Sequence, residues 1–264
     1  MNIGIIGLGA VGGTIKLGFK ELGYDVCSFD IKDNTTIHNV LDTQICYICV
    51  PTPQSEEGEC DITIVDKVIG ELIDNSYKGV IAIKSTVKPG TTEHLKEKYS
   101  NNRICFIPEF LRERSALTDF TENHDVCIIG TQDKLIFNLI KETHGHYPRK
   151  FVQTTPTEAE VCKYFNNVYN ATLVTFANSF YEVCKSLDVD YKKVKSAIVN
   201  RDHINDIYLD CNKNLRGFGG MCLPKDTSAM SYLSKTHNLD VEFFDTILSE
   251  NKKYKTTVFK GMRK

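Results

Sequence analysis

Short, nearly continuous apolar runs punctuate the first part of the chain, at residues 2–6, 25–29, 45–50, 80–84, 103–107, 126–129 and 150–153. Runs of this length without polar alternation predict strands buried on both faces. Between them, apolar residues recur at helical spacing over residues 11–22, 62–73, 92–99 and 133–144. Strand and helix signals that alternate predict a parallel sheet with helices on both faces.

From residue 157 to 188 the pattern changes: glycine and proline are absent and apolar positions keep a helical period. The spacing predicts one helix of about 30 residues, ~45 Å long at 1.5 Å per residue. Thr157 and Glu160, just after Pro156, fit a capping box for its start. Further helices are expected at 190–199, 227–236 and 241–259, with an irregular stretch at 201–225. The change divides the chain into an α/β domain, residues 1–154, and an all-helical domain, residues 155–264. One face of the long helix carries Val161, Phe165, Val168, Thr172, Phe176, Phe180 and Val183. That face packs either within the monomer or in a homodimer. A helix ~45 Å long outreaches one small domain, which favours the dimer.

Charge and composition remove several classes of function. The 32 basic and 34 acidic residues leave a net charge of −2, with no basic excess to hold nucleic acid. No apolar run approaches the ~20 residues of a membrane helix, and the N-terminus enters directly into a strand, so a cytoplasmic protein is expected. Ten scattered cysteines then read mostly as small buried apolar residues. Cys46 and Cys49 form a C-x-x-C inside a predicted strand, where their side chains diverge, so no metal is expected there. The seven histidines show neither hydrolase-triad order nor metal-ligand spacing.

Gly7-Leu8-Gly9-Ala10-Val11-Gly12 follows the first strand and opens the first helix. In a G-x-G-x-x-G loop the first glycine makes the tight turn and the second lets a pyrophosphate approach the backbone. The third lets helix and strand pack closely. Asp30 ends the second strand, where an acid bonds a ribose 2′-OH and repels a 2′-phosphate, which favours NAD over NADP. The α/β domain is therefore expected to be a Rossmann-type, doubly wound parallel sheet.

Four further segments carry more specific information: Val50-Pro51-Thr52-Pro53, Lys84-Ser85-Thr86-Val87-Lys88-Pro89-Gly90-Thr91-Thr92, Pro108-Glu109-Phe110-Leu111-Arg112-Glu113, and Gly217-Phe218-Gly219-Gly220-Met221-Cys222-Leu223-Pro224-Lys225-Asp226. With the N-terminal glycines, and with Glu158 to Lys163 and Asn167, their order and spacing resemble the UDP-glucose/GDP-mannose dehydrogenase family. The resemblance covers nearly the whole chain. It implies oxidation of a UDP-sugar C6 alcohol to a carboxylate in two hydride transfers. Cys222 would form a thiohemiacetal and then a thioester. The residues themselves support a special role for this thiol, since it follows Gly219-Gly220 in a polar loop where close approach to a ligand is expected.

By the same resemblance Lys163 and Asn167 would stabilise an oxyanion, and Asp226 would order the water or the lysine. Thr86 and Glu113 would bind and activate the water. The cofactor set would include Gly7, Gly9, Ala10, Val11, Gly12, Asp30, Lys32, Val50, Pro51, Thr52, Ser85, Thr86 and Glu113. The substrate set would be Glu109, Phe110, Leu111, Arg112, Lys163, Asn167, Gly217, Phe218, Gly219, Gly220 and Cys222. Blander readings stand beside these. Lys163 could be a solvated helix residue, Asn167 a polar face residue, Asp226 the N-cap of a helix starting at Thr227, and Glu113 an ion-pair partner of Arg112 or Arg114.

The sequence also departs from the family pattern. His203 stands where relatives have an arginine that reaches the sugar nucleotide, and Asn123-His124-Asp125 replaces a Ser-Arg. Relatives carry a third, nucleotide-sugar-binding domain after the helical one, and the expected contribution of a separate chain follows from that.

Overall fold

The computed structural model describes residues 1–256, so the basic residues Lys260, Arg263 and Lys264 lie outside the described residues; the helix expected at 241–259 is shorter, running from Phe243 to Asn251. The first elements are β1 (Asn2–Ile6), α1 (Ala10–Glu21), β2 (Asp25–Phe29), β3 (Ile45–Ile48), α2 (Thr63–Asp74), β4 (Val80–Ile83) and α3 (Thr91–Lys98). They are followed by β5 (Ile104–Phe106), α4 (Ala116–Thr121), β6 (Val126–Gly130), α5 (Lys134–His144) and β7 (Lys150–Thr154). Four more helices complete the described chain: α6 (Pro156–Ser186), α7 (Tyr191–Ile198), α8 (Cys222–Thr236) and α9 (Phe243–Asn251). The chain forms two compact units. The first comprises Met1–Pro53 and Cys60–Lys163, the second Gln54–Glu59 and the chain from Tyr164 on.

In the first unit the strands form one sheet in the order β2-β1-β3-β4-β5-β6-β7. Strand residues alternate between two apolar layers. Cys46, Ile48, Ile81 and Ile83 join Val65, Ile69 and Leu72 of α2 and Leu95 of α3. Ile45, Tyr47, Val80 and Ala82 join Ile15 and Phe19 of α1, Phe120 of α4, and Ile136 and Ile140 of α5. Both faces are covered, which is why the strands read as unbroken apolar runs. The chain leaves β1 for β2 on one side and returns to β3 on the other. This reversal opens a crevice at the carboxyl ends of β1 and β3.

The parallel sheet has one exception. β5 and β6 meet antiparallel, through the single pair Phe106 and Gly130, while β6 and β7 are again parallel. The two strands run in opposite directions and meet only at their last residues, Phe106 and Gly130.

The capping box of α6 also lies elsewhere. Thr155 N–H donates to Glu158 Oε2 (2.8 Å) and Glu158 N–H donates to Thr155 Oγ1 (3.3 Å), two residues before the expected pair. Pro156 then takes the first helical position, where a missing N–H costs nothing. Glu160 is fully buried and caps α3 instead. It accepts from Gly90 N–H (2.6 Å), Thr92 N–H (2.8 Å) and Thr92 Oγ1 (2.6 Å).

The second unit has two small cores. Ala177, Cys184, Tyr191, Leu209 and Cys211 form one, and Val168, Ala171, Phe218 and Ile247 form the other, joined by Leu223, Met230 and Phe244. Val168, on the same apolar face of the long helix by spacing as Phe165 and Phe176, belongs to this inner core. Phe165, Phe176, Phe180 and Val183 are exposed, and the Phe176 and Phe180 rings touch with centroids 4.6 Å apart. Among the described residues no helix is long and apolar enough to cross a membrane.

Candidate functional site

The phosphate loop is shaped by its backbone. Gly7 has a φ of 89°, and a Cβ there would stand 2.7 Å from the Cys49 carbonyl oxygen. A Cβ on Gly12 would lie 1.8 Å from Gly7 O, so only glycine lets α1 cross the end of β1 this closely. A Cβ on Gly9 would meet nothing within 4 Å. Gly9 is also the N-cap of α1, no side chain caps that helix, and its first turn holds no acid. Together with Ala10 and Val11 it leaves an open cradle beside a positive helix end, which fits a pyrophosphate.

Asp30 closes the loop from below. Its Oδ2 accepts from Leu8 N–H (2.6 Å) and its Oδ1 from Lys32 N–H (2.9 Å). These backbone hydrogen bonds hold the carboxyl below its usual range, so it is anionic at neutral pH. The Lys32 side chain points to solvent. Beyond β3, Val50 and Thr52 are half-buried and Pro51 is exposed. Ser85, just past β4, ties the two strand ends together by donating to Val50 O (2.6 Å) and Ile48 O (3.2 Å). Thr86 is half-buried, and its carbonyl accepts from Cys60 Sγ (3.3 Å).

A buried ion pair follows in the same unit. Lys163 Nζ donates to Glu109 Oε1 (2.9 Å) and to Glu109 O (2.6 Å), and lies 5.9 Å from the Phe110 ring centroid. Lys163 is 4% exposed, which rules out the solvated-helix reading. Glu109 Oε2 accepts from Leu111 N–H (2.9 Å). Burial pushes the Glu109 carboxyl up. The Lys163 ammonium, the Leu111 N–H and the nearby Lys84 outweigh it, and the net shift is downward. Lys84 itself is a buried lysine that sequence reading passed over, and burial lowers its pKa. The Arg112 guanidinium is engaged by Asp119 (Nη2 to Oδ1 2.6 Å, Nε to Oδ2 3.0 Å). The Glu113 side chain lies outside the described residues.

The cysteine loop belongs to the second unit. Helix α8 begins at Cys222, five residues earlier than residue 227. Pro224 falls in its first turn, where the missing N–H has no intrahelical acceptor in any case. Asp226 is therefore not an N-cap. It sits inside the helix, 1% exposed, and its Oδ2 accepts from Asn167 Nδ2 (2.5 Å). Lys225 Nζ stands 3.1 Å from Asp226 Oδ1, a charge contact whose geometry makes no hydrogen bond, so Oδ1 keeps its accepting capacity. Asn167 is likewise buried, not a surface residue.

Gly220 adopts a φ of 77° and turns the chain into the helix, with open space around the missing Cβ. Gly217 and Phe218 are buried upstream of that turn, and Gly219 is half-buried. Asn251, which has no motif around it, hydrogen-bonds the Phe218 backbone twice.

Cys222 is exposed, whereas the other nine cysteines are buried or half-buried. Burial raises the Cys49, Cys105 and Cys127 thiols to about 12 each and Cys211 to about 11, which keeps them protonated. His203 is exposed.

A glycine cradle at the switch point of an α/β sheet, followed by a helical unit, defines a dinucleotide-binding protein of the Rossmann type. The chain belongs to the UDP-glucose/GDP-mannose dehydrogenase family: residues 32–147 match that family's NAD binding domain and residues 157–253 its central domain. NAD is thereby the cofactor of the first domain. The chain is 31% identical to UDP-glucose 6-dehydrogenase TuaD of Bacillus subtilis, across 97% of this chain and 64% of that protein. It is 32% identical to GDP-mannose 6-dehydrogenase of Pseudomonas aeruginosa, across 77% of this chain and 49% of that one. The solved UDP-glucose dehydrogenase of Pyrobaculum islandicum superposes with a TM-score of 0.86 at 27% identity, covering 96% of this chain and 68% of that one. The chain thus spans between about half and two thirds of the length of these relatives.

Proposed function

We propose that this chain is an NAD-dependent nucleotide-sugar 6-dehydrogenase, with UDP-glucose or a related UDP-sugar as substrate and Cys222 as its covalent catalyst. The observation that carries this reading is the contrast among the cysteines: Cys222 is the exposed one, at the first position of a helix, inside the segment most specific to the family. The exposed helix start suits a nucleophile because a thiolate there is favoured by unpaired N–H groups and the helix dipole.

NAD, when bound, supplies the hydride acceptor for both oxidations. Gly7, Gly9, Ala10, Val11 and Gly12 hold its pyrophosphate, Asp30 its ribose, and Val50 to Thr52 with Ser85 line the strand ends beyond. The Cys222 thiolate adds to the C6 carbon of the aldehyde left by the first oxidation, giving a thiohemiacetal. Loss of the second hydride and of the hydroxyl proton leaves a thioester on Cys222. Water, bound by Thr86 and activated by Glu113, attacks that carbonyl, and the thiol leaves with the carboxylate formed. Lys163 and Asn167 stabilise the oxyanion. The open lone pairs of Asp226 Oδ1 suit it to hold a water. Gly217 to Gly220 with Glu109 to Arg112 contribute to the substrate side.

Purified protein given UDP-glucose and NAD is expected to make two NADH per sugar. A Cys222→Ser variant with undiminished oxidation sinks the proposal. Calorimetry tests the alternative of an NAD-binding subunit without turnover of its own: NAD binding with no UDP-sugar binding favours a need for a separate chain, and tight UDP-sugar binding removes it. The exposed Phe165, Phe176, Phe180 and Val183 support a homodimer through α6. Light scattering should give twice the chain mass, and Phe176→Asp with Phe180→Asp should halve it.

A further inference from the structure

Among the described residues the cysteine loop pairs with no strand, yet one side chain treats it as though it did. Phe218 N–H donates to Asn251 Oδ1 (2.8 Å), and Asn251 Nδ2 donates to Phe218 O (2.8 Å). The carboxamide thus meets both polar groups of one residue, as a neighbouring strand does in an antiparallel pair. Asn251 is 8% exposed and Phe218 4%, so neither bond competes freely with water. A Cβ on Gly217 would come within 2.6 Å of Asn251 Oδ1, so glycine there admits the clamp. The Phe218 ring is pinned beside Ile247, one helical turn before Asn251 on α9.

Downstream of this fixed point the chain is short. Gly219, Gly220 in the left-handed region and Met221 lead to Cys222 at the start of α8. Four residues extend ~14 Å at most, and the turn at Gly220 shortens that reach. Where the clamp fixes Phe218, the first turn of α8 and its thiol are fixed as well.

We infer that Asn251 is a positioning residue for the Cys222 loop: its two-point clamp on Phe218 holds the thiol in the first turn of α8. The inference rests on the reading of Cys222 as nucleophile, but it is tested on the thiol itself, with or without sugar oxidation. Nothing near Asn251 in the sequence points to this role, because its partner lies 33 residues away.

The experiment follows iodoacetamide alkylation of Cys222 against pH, with the modified peptide identified by mass spectrometry. Asn251→Ala is expected to slow alkylation at pH 7 by about tenfold and to move the half-maximal rate to higher pH, because the thiolate loses its helix terminus. Ser231→Ala removes a different hydrogen bond between α8 and α9, Ser231 Oγ to Asp245 Oδ1 (2.8 Å), and serves as a control. It should lower the melting temperature and leave the alkylation profile in place. A melting loss in Asn251→Ala with an unchanged profile overturns the inference. Should that variant not fold, hydrogen exchange on the unaltered protein decides. A slowly exchanging Phe218 amide supports the clamp, and exchange at the rate of an open loop refutes it.

Discussion

The phosphate loop and the cysteine loop both end in the first turn of a helix, but different parts of the chain build them. The phosphate loop is made of backbone. Gly7, Gly9 and Gly12 act through the absence of a Cβ within one short stretch of chain, and Asp30 adds a single acceptor from farther along. The cysteine loop is held by side chains from far along the chain, Asn251 on Phe218 and Asn167 on Asp226. The Glu109 and Lys163 pair, 54 residues apart, follows the second pattern. A backbone-built site fails when atoms are added, and a side-chain-built site fails when partners are removed.

The largest effect should come from breaking a side-chain partnership. Glu109→Leu removes the carboxylate that balances the buried Lys163 ammonium and should cost on the order of 4 kcal/mol in denaturant unfolding. The pair also predicts a pH signature. The folded pKa of Glu109 is lowered, so the folded state binds this proton less readily than the unfolded chain. Its stabilisation is present above the ordinary value of 4.5 and is lost as pH falls through the lower, folded value. Wild-type protein should lose that increment on acidification and Glu109→Leu should not. Equal acid sensitivity in both would show that the pair carries none of it.

Adding one methyl group to the backbone-built loop comes next. Gly12→Ala drives a Cβ into Gly7 O and should cost about 3 kcal/mol, with NAD binding weakened at least a hundredfold by calorimetry. Gly9→Ala meets no protein atom, so it should leave the melting temperature within a degree or two while still weakening NAD binding. If Gly9→Ala melts like Gly12→Ala, the assignment of open space to the cofactor fails. A smaller loss, about 2 kcal/mol, is expected for Asp226→Leu, which strands the Asn167 amide in the core. The smallest expected effect is on selectivity. Asp30→Asn removes the charge proposed to repel a 2′-phosphate and should narrow the preference for NAD over NADP by about tenfold, or ~1.4 kcal/mol, in paired titrations.

The same division explains what could be read without coordinates. Strand positions, the long helix and the glycine loop follow from local spacing and stand close to where periodicity puts them. The start of α6 did not, because Thr-x-x-Glu occurs twice, from Thr155 and from Thr157. Both satisfy the local rule, and the choice was made by α3, whose N–H groups take up Glu160. The start of α8 was hidden by Pro224, which reads as a breaker unless it is known to fall in a first turn. The antiparallel turn at β6, the inward placement of Val168 and the burial of Lys84 depend on packing partners that no local window contains. Asn251 is the extreme case, a residue defined wholly by a distant backbone.

Three contacts near the start of α6 set a mechanical condition on that helix. Gly130 admits Ala159, whose Cβ would stand only 2.8 Å from any side chain placed there. Glu160 is bolted to α3 and Lys163 to Glu109. These fix the rotational phase of the helix at three points within five residues. Inserting or deleting one residue between Glu160 and Lys163 would move Lys163 ~100° around the helix axis, away from Glu109. Lineages of this chain should therefore tolerate substitutions in that segment far more readily than changes of its length. Loops such as 54–59, tied to α8 by the Gln54 to Ser228 bond, carry no such phase and can absorb insertions.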